Sequence, residues 1–345
     1  MAYTTINKPN QYFNTVLWTG NGGTQTITGV GFQPSLVWGK SRSVNYEQSW
    51  IDFVRGGTKY LFSNGTSAES TDANAIQSFN ADGITIGSSP YIGNANGATY
   101  VGWNWLASNS TVSNTQGSIT STVSVNQTAG FSIVSYTGNG TSGATIGHGL
   151  GAVPKMMIVK KRSSSGDWRI YNVSMGNTNV IEFTTDAQIA NLGSWNNTTP
   201  TSSVFSVGNS IAVNENGSTF IAYCFAEIKG YSKFGSYTGN GNADGPMIYT
   251  GFSPAFLMIK QTNTGGENWY MWDNKRDTYN VADKRLFPNL NNAEETGTLL
   301  FDFLSNGFKI RSTYTGFNQS GGTFIYAAFA QNPFVSSTSI PTTAR

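Results

Sequence analysis

Apolar residues in this 345-residue chain alternate with Ser, Thr, Asn and Gly over short stretches, a period of two that predicts β-strands. Residues 13–19, 24–28 and 35–40 form the first such series, separated by glycine-rich turns. Gly20-Asn21-Gly22-Gly23 supplies residues that tolerate positive φ, as a tight hairpin between the first two strands demands. The strand at 35–40 is apolar on both faces and follows Pro34, so it is expected to be central in a sheet and covered on both sides. No long Ala/Glu/Lys/Leu-rich window with a 3.6-residue period is present, so helices are not predicted.

The series occurs three times. Thr19-Gly20-Asn21-Gly22 returns as Thr137-Gly138-Asn139-Gly140 and Thr238-Gly239-Asn240-Gly241, each after an aromatic residue (Trp18, Tyr136, Tyr237). A Gly-[Phe/Leu] pair then leads to Pro34, Pro154 and Pro254, and a lysine follows six residues later (Lys40, Lys160, Lys260). The threonine-to-proline distances are 15, 17 and 16 residues, which marks one module copied three times. Tryptophan-bearing strands follow at 50–53, 168–171 and 269–272, and aromatic strands close the modules at 100–107, 220–226 and 324–330. One face of the closing strands carries Val101, Trp103 and Trp105, then Ile221, Tyr223 and Phe225, then Ile325, Ala327 and Phe329. The other face carries Gly102, Asn104, Ala222, Cys224 and Ala328. The large face is expected to look into its own module, and the small face to admit another surface.

These patterns predict an all-β chain of three tandem antiparallel β-sandwich modules. The expected boundaries are an N-terminal arm at 1–12, repeats at 13–107, 131–230 and 231–335, a Ser/Thr-rich linker at 108–130 and a tail at 336–345. The second and third repeats should pack closely, with the first set apart. Composition agrees with short strands and many turns: charged residues are 11% of the chain, against roughly 25% in globular proteins, and there are 40 glycines. A net charge of +2 argues against nucleic acid or a charged membrane surface as partner. No apolar run is long enough to span a bilayer, so membrane insertion is not expected, and residues 1–9 lack the plan of a signal peptide. The single cysteine, Cys224, leaves no internal disulfide and reads as a buried small residue.

The words Phe13-Asn14-Thr15, Thr19 to Gly22, Gly29 to Pro34 and Val37 to Lys40 resemble virion-associated proteins of tailed bacteriophages, especially those of marine bacteria. Val54-Arg55-Gly56, residues 66–71 and Trp103-Asn104-Trp105-Leu106-Ala107 extend the resemblance. The second copy is similar to a sister form of the repeat through residues 136–140, 146–151 and 159–162. The resemblance implies a tail or tail-fibre-like virion protein with jelly-roll, concanavalin-like or lectin-like sandwiches. It carries no catalytic or binding residues over, and the third copy has no counterpart of Gly147-His148-Gly149-Leu150-Gly151.

The candidate chemistry is sparse. His148 is the sole histidine and has no counterpart in the other copies, which argues against a repeated triad or a multi-histidine metal site. Carboxylate pairs for glycosidase chemistry are Glu47 with Asp52, Asp167 with Glu182, and Glu267 with Asp273, but they do not align between copies. No cofactor is expected; calcium is the one metal to weigh, at Asp72 with Asn74 and Asn80 with Asp82, where acidic density is low. For carbohydrate binding the candidates are Trp50, Trp168, Tyr171, Trp269 and Trp272, whose rings beside amide-rich loops would suit sugar stacking; the competing reading makes them sandwich core. The expected function is a non-enzymatic virion protein of the tail or fibre region, made in the host cytoplasm. It would contact other virion proteins and a host-surface glycan, assembled as a homo-oligomer with trimers preferred. A capsid-surface decoration protein and a polysaccharide depolymerase are the alternatives.

Overall fold

The computed structural model describes residues 3–191, 193–297 and 300–341. The chain is all-β, with helix confined to single turns such as Ile211–Asn214 and Thr315–Asn318, none long enough to cross a membrane. In each repeat the closing strand lies between the opening strand and the lysine-bearing strand, and a fourth strand follows; it is the last in repeats 2 and 3, whereas in repeat 1 Lys59–Phe62 and Ser70–Thr71 continue the sheet beyond it. Repeat 1 orders Phe13–Thr19, Thr99–Trp105, Leu36–Ser41 and Ser49–Asp52. Repeat 2 orders Phe131–Thr137, Thr219–Ala226, Pro154–Lys161 and Arg169–Asn172; repeat 3 orders Ser232–Thr238, Thr323–Pro333, Phe252–Gln261 and Trp269–Asp273. The lysine-bearing strand is buried along its whole length in repeats 1 and 3 and at every position but Lys155 in repeat 2, as its two apolar faces predict.

A smaller sheet covers one face of each large sheet, so every repeat is sandwich-like. In repeat 1 it consists of Gln25–Thr28, Gly83–Ile86 and Ile76–Asn80; in repeat 2 of Ala144–Gly147 with Val204–Val207; in repeat 3 of Met247–Tyr249, Gly307–Ile310 and Phe301–Leu304. The predicted hairpin between the first two strands does not form. Gln25–Thr28 pairs with Gly83–Ile86 instead, so Thr-Gly-Asn-Gly carries the chain from the large sheet to the small one. Each such loop docks on a buried asparagine. Asn94, Asn214 and Asn318 accept through Oδ1 from the backbone N–H of Asn21, Asn139 and Asn240 at 2.8, 3.0 and 2.9 Å. The first glycine is required by close approach, since a Cβ on Gly20, Gly138 or Gly239 would meet a carbonyl oxygen at 2.3–2.5 Å. The aromatic residue before the loop stacks on the closing strand: Trp18 on Tyr100, Tyr136 on Phe220 and Tyr237 on Phe324, with centroids 5.0–5.6 Å apart.

The two faces of the closing strands have roles opposite to those expected. The small-residue face looks into its own repeat, where Ala222 and Cys224 pack beneath Ile146, Phe205 and Val207, and Ala328 beneath Phe301 and Phe308. A Cβ on Gly102 would come within 3.0 Å of the Trp18 ring, which explains that glycine. The large face of all three closing strands enters one core shared by the repeats. Phe225, Phe256 and Phe329 there meet Trp105, and Trp50 meets Trp168 and Tyr223. The first repeat is therefore not set apart. Nor are residues 108–130 a linker: Val112–Asn114 and Ser121–Asn126 extend the large sheet of repeat 2, through an alternation of Val123 and Val125 with polar residues. The arm is docked as well. Ile6 enters the shared core, and Thr4 Oγ1 donates to the Lys229 carbonyl at 2.8 Å. Residues 342–345 of the expected tail lie outside the described residues, while Ser337 N–H donates to Asn7 Oδ1 at 2.8 Å.

Two of the three contacts between repeats carry a buried charge relay. Between repeats 2 and 1, Arg55 binds Asp52 and Glu69, Arg162 binds Glu69 through Nε and Nη2 at 2.8 and 3.1 Å, and Tyr223 donates to Asp52 at 2.8 Å. Between repeats 1 and 3, Arg276 binds Asp273 and Glu294, Arg42 binds Glu294 at 2.9 Å, and Trp103 Nε1 donates to Asp273 at 3.1 Å. Burial alone would raise the Glu69 and Glu294 carboxyls, but the guanidinium hydrogen bonds and charges hold both below the usual range. Between repeats 3 and 2 the corresponding positions are Asn172, Met175, Thr262 and Ala327, and the relay is replaced by neutral packing. Removing one member of a buried pair leaves an uncompensated charge. Arg55→Met should therefore lower the unfolding free energy by about 3–5 kcal/mol in urea titrations. The double change Asp52→Asn with Arg55→Met copies the Asn172/Met175 arrangement and should recover most of that loss; equal instability of the single and double variants would contradict the neutral-packing account.

Candidate functional site

The strand register realigns the recurrent tryptophans. Trp38 faces Trp50, Ile158 faces Ile170 and Met258 faces Met271, so Trp50 corresponds to Ile170 and Met271. Trp168 and Trp269 instead correspond to Gln48. The five carbohydrate-binding candidates are all buried: Trp50, Trp168, Tyr171, Trp269 and Trp272 expose 2% or less of their surface. Trp50, Trp168 and Trp269 belong to the shared core, Tyr171 to the interior of repeat 2 and Trp272 to that of repeat 3. Their rings have no face free for a sugar: the neighbouring repeats cover Trp50, Trp168 and Trp269, and the interior of their own repeat covers Tyr171 and Trp272.

The Gln48 positions have another use. Trp168 Nε1 donates to the Phe62 carbonyl at 2.9 Å, Trp269 Nε1 to the Glu182 carbonyl at 2.7 Å, and Gln48 Nε2 to the Phe287 carbonyl. Repeat 2 thus donates to repeat 1, repeat 3 to repeat 2 and repeat 1 to repeat 3, and the ring closes. Backbone contacts close the same ring with the donors running the other way: Glu69, Gln188 and Glu294 N–H donate to the carbonyls of Arg162, Thr262 and Arg42 at 2.8–2.9 Å. Two signature lysines also cross between repeats, Lys40 Nζ donating to the carbonyls of Tyr46 and Asn291 and Lys160 Nζ to those of Gly166 and Thr66, while Lys260 Nζ donates to the Glu267 carbonyl of its own repeat. Burial lowers their ammonium pKa values, to about 7 for Lys40 and about 8 for Lys160 and Lys260. The three repeats are arranged as a pseudo-threefold ring within one chain.

Where the three accepting segments converge, a cleft of ≈ 250 Å³ opens at the end of the ring axis. It is lined by Ser63, Asn64 and Thr66 of repeat 1, Asp167, Glu182, Thr184 and Thr185 of repeat 2, and Asn289 and Leu290 of repeat 3. Phe183 closes its floor, with its ring against Trp38, Trp50, Trp168 and Trp269 at centroid distances of 5.2–6.3 Å. Asp167 and Glu182 both pair with Arg169, which offsets one of the two negative charges. Burial and the neighbouring acids Asp167 and Asp186 raise the Glu182 carboxyl against the pull of Arg169.

The other candidate carboxylate pairs do not meet as pairs. Asp52 and Asp273 are spent in the relays, Glu47 accepts from Asn64, and Glu267 accepts from Tyr270, Tyr314 and Thr315. In the two calcium candidates, Asp82 accepts from the N–H groups of Gly29 and Gly31, and Asp72 from that of Asn74. No group of three or more His, Cys, Asp or Glu suited to a metal ion occurs among the described residues. Cys224 is fully buried, and burial pushes its thiol up to about 12. His148 is buried too: the Leu150 N–H donates to Nδ1 at 3.2 Å, which leaves the proton on Nε2, 3.2 Å from the Thr201 carbonyl. The axial cleft itself was not legible, because its lining comes from the loop-rich, divergent middle of each repeat. The equivalence of Phe62, Glu182 and Phe287 has no signature in residue type.

A three-repeat, all-β ring with an axial cleft is the class of protein that fold and site define. The chain belongs to the family described as Domain of unknown function (DUF7483), whose model matches residues 8–333. A search of curated proteins found no match, and neither did a search of solved structures.

Burial lowers the His148 pKa to about 4 from an ordinary value near 6.5. Between those values the unfolded chain binds a proton that the folded chain refuses, so stability falls as pH drops through that window. Urea denaturation should show a loss on the order of 1–2 kcal/mol attributable to this residue between pH 7 and pH 5. His148→Gln should flatten that slope; an unchanged slope would remove His148 as its source.

Proposed function

We propose that this chain is a non-catalytic structural protein of a bacteriophage particle, in the tail or tail-fibre region, with an adhesive role toward a host-surface glycan. The observation that carries the reading is the shared aromatic core. It joins three sandwich-like lobes into one body, while charged groups are drawn into structural relays and the loops at the surface are rich in amides and hydroxyls. Such a body suits passive load-bearing and surface contact, and of the candidate acid pairs only Asp167 and Glu182 meet, with Arg169 between them. The host contact is proposed at the axial cleft, where hydroxyl and amide side chains of all three lobes surround an aromatic floor. Contact with other virion proteins and assembly of whole chains, with trimers preferred, belong to the same proposal. The small-residue face that first suggested assembly is used inside each repeat.

Antibody raised against the purified chain should decorate the tails of intact particles in negative-stain images. Purified protein should also bind host cells, and Asp167→Asn with Thr185→Ala should weaken that binding several-fold without a change in Tm. Label on the capsid shell alone would favour a decoration protein, and particles free of label would overturn the reading.

A further inference from the structure

A second cavity, of ≈ 320 Å³, is lined by residues of repeat 3 alone and borders the axial cleft at Leu290. Its size falls within the roughly 300–1,000 Å³ of small-ligand pockets. Arg285 and Glu295 face each other there across an antiparallel bridge, their backbones exchanging hydrogen bonds of 2.9 and 3.1 Å. Arg285 Nη2 donates to Glu295 Oε2 at 2.6 Å, and the guanidinium lies over the Phe287 ring at 6.0 Å. Arg285 Nε and Nη1 are buried and have no partner among the described residues. The half-buried Tyr314 forms another wall; its hydroxyl is 3.1 Å from that of Tyr270, and both hydroxyls donate to Glu267 at 3.4 and 3.2 Å.

We propose that this pocket binds a neutral pyranose unit. A fixed aromatic wall offers the flat apolar face on which a sugar ring's C–H groups pack. The ion pair beside it places donors and a carboxylate acceptor side by side, and adjacent sugar hydroxyls present the complementary acceptors and donors. Arg285 and Glu295 cancel in charge and Glu267 lies behind the two tyrosine hydroxyls, which disfavours an anion, whereas a polyhydroxylated neutral ligand suits the exposed Glu295 carboxylate and the donors beside it. The other repeats differ at the same place. Repeat 2 has Val180 and Glu182 where repeat 3 has Arg285 and Phe287, and repeat 1 has Tyr60 and Phe62, their rings 5.0 Å apart. The paired charges are therefore particular to repeat 3.

The inference rests on the adhesive reading for its ligand class, and its test separates the two. Full-length protein is titrated with methyl α-mannoside, methyl α-glucoside and methyl β-galactoside, with calorimetry and ligand-observed NMR as readouts. At least one glycoside should saturate, and Tyr314→Ala and Glu295→Gln should each weaken it about tenfold or more, with Glu295→Gln nearly isosteric should Tyr314→Ala fold poorly. Asp167→Asn reports on the axial cleft, and a titration that it does not alter assigns the glycoside to the repeat 3 pocket. Absence of binding by all three glycosides overturns the pocket, as does binding indifferent to both pocket variants. Loss confined to Asp167→Asn also overturns it, by moving the sugar to the cleft, and leaves the adhesive reading standing. Saturable glycoside binding by a protein that fails to bind host cells sinks the adhesive reading and supports the pocket.

Discussion

Burial of the large aromatic face of three closing strands against one another is the constraint on which the structure depends. A single sandwich of this type covers only one face of its large sheet with its small sheet. The opposite face, which includes Trp103 and Trp105 in repeat 1, Tyr223 and Phe225 in repeat 2 and Phe329 in repeat 3, would lie in water. Burying a side chain of that kind contributes roughly 1.5–3 kcal/mol, and edge-to-face ring pairs add about 0.5–1.5 kcal/mol. Three repeats that each expose such a face have one common solution, which is to close on themselves. The glycines and alanines of the reverse face follow from the same geometry, because there each sheet must admit Trp18 or the small sheet of its own repeat.

The all-β class and the threefold repetition were legible in the residues, since alternation and the Thr-Gly-Asn-Gly, Gly-Phe-x-Pro and lysine signatures are local. The identity of the buried strands was legible too: an unbroken apolar run such as residues 255–259 has no polar face to expose. What faces what was not legible. Ala222 and Cys224 looked like a docking surface because small size permits approach from any partner, and residue type does not name the partner. The tryptophans near 50, 168 and 269 were aligned by type, and the register moved one of them by two places, since Gln48 does the work of Trp168 and Trp269 through its side-chain N–H. Residues 108–130 read as a linker because they lack aromatics, although Val123 and Val125 supply the alternation of an outer strand.

The asparagine clamp shows a signal that was present and missed. Asn94, Asn214 and Asn318 each lie five residues before the threonine that begins the aromatic closing strand, and each receives the second residue after the signature threonine. Their amide nitrogens also donate to two backbone carbonyls apiece, so a buried polar side chain satisfies the loop and the helical turn together. Isolated asparagines are too common in this chain for the spacing to stand out without a structure.

Carrying the three repeats in one chain has a consequence for the unequal contacts between them. A ring built from three separate identical chains must use one contact three times, and its integrity falls as the protein is diluted. Here the peptide links keep each repeat at a high effective concentration around its neighbours, whatever the amount of protein. Freed from identity, two contacts hold an Asp-Arg-Glu-Arg relay and the third holds Asn172 and Met175. Those unequal seams key the order of the lobes: a repeat seated at the wrong neighbour would set Arg42 against Gln188 or Glu69 against Thr262 and leave a charge without its partner, so charge mismatch discriminates against misassembly and against exchange of lobes between molecules.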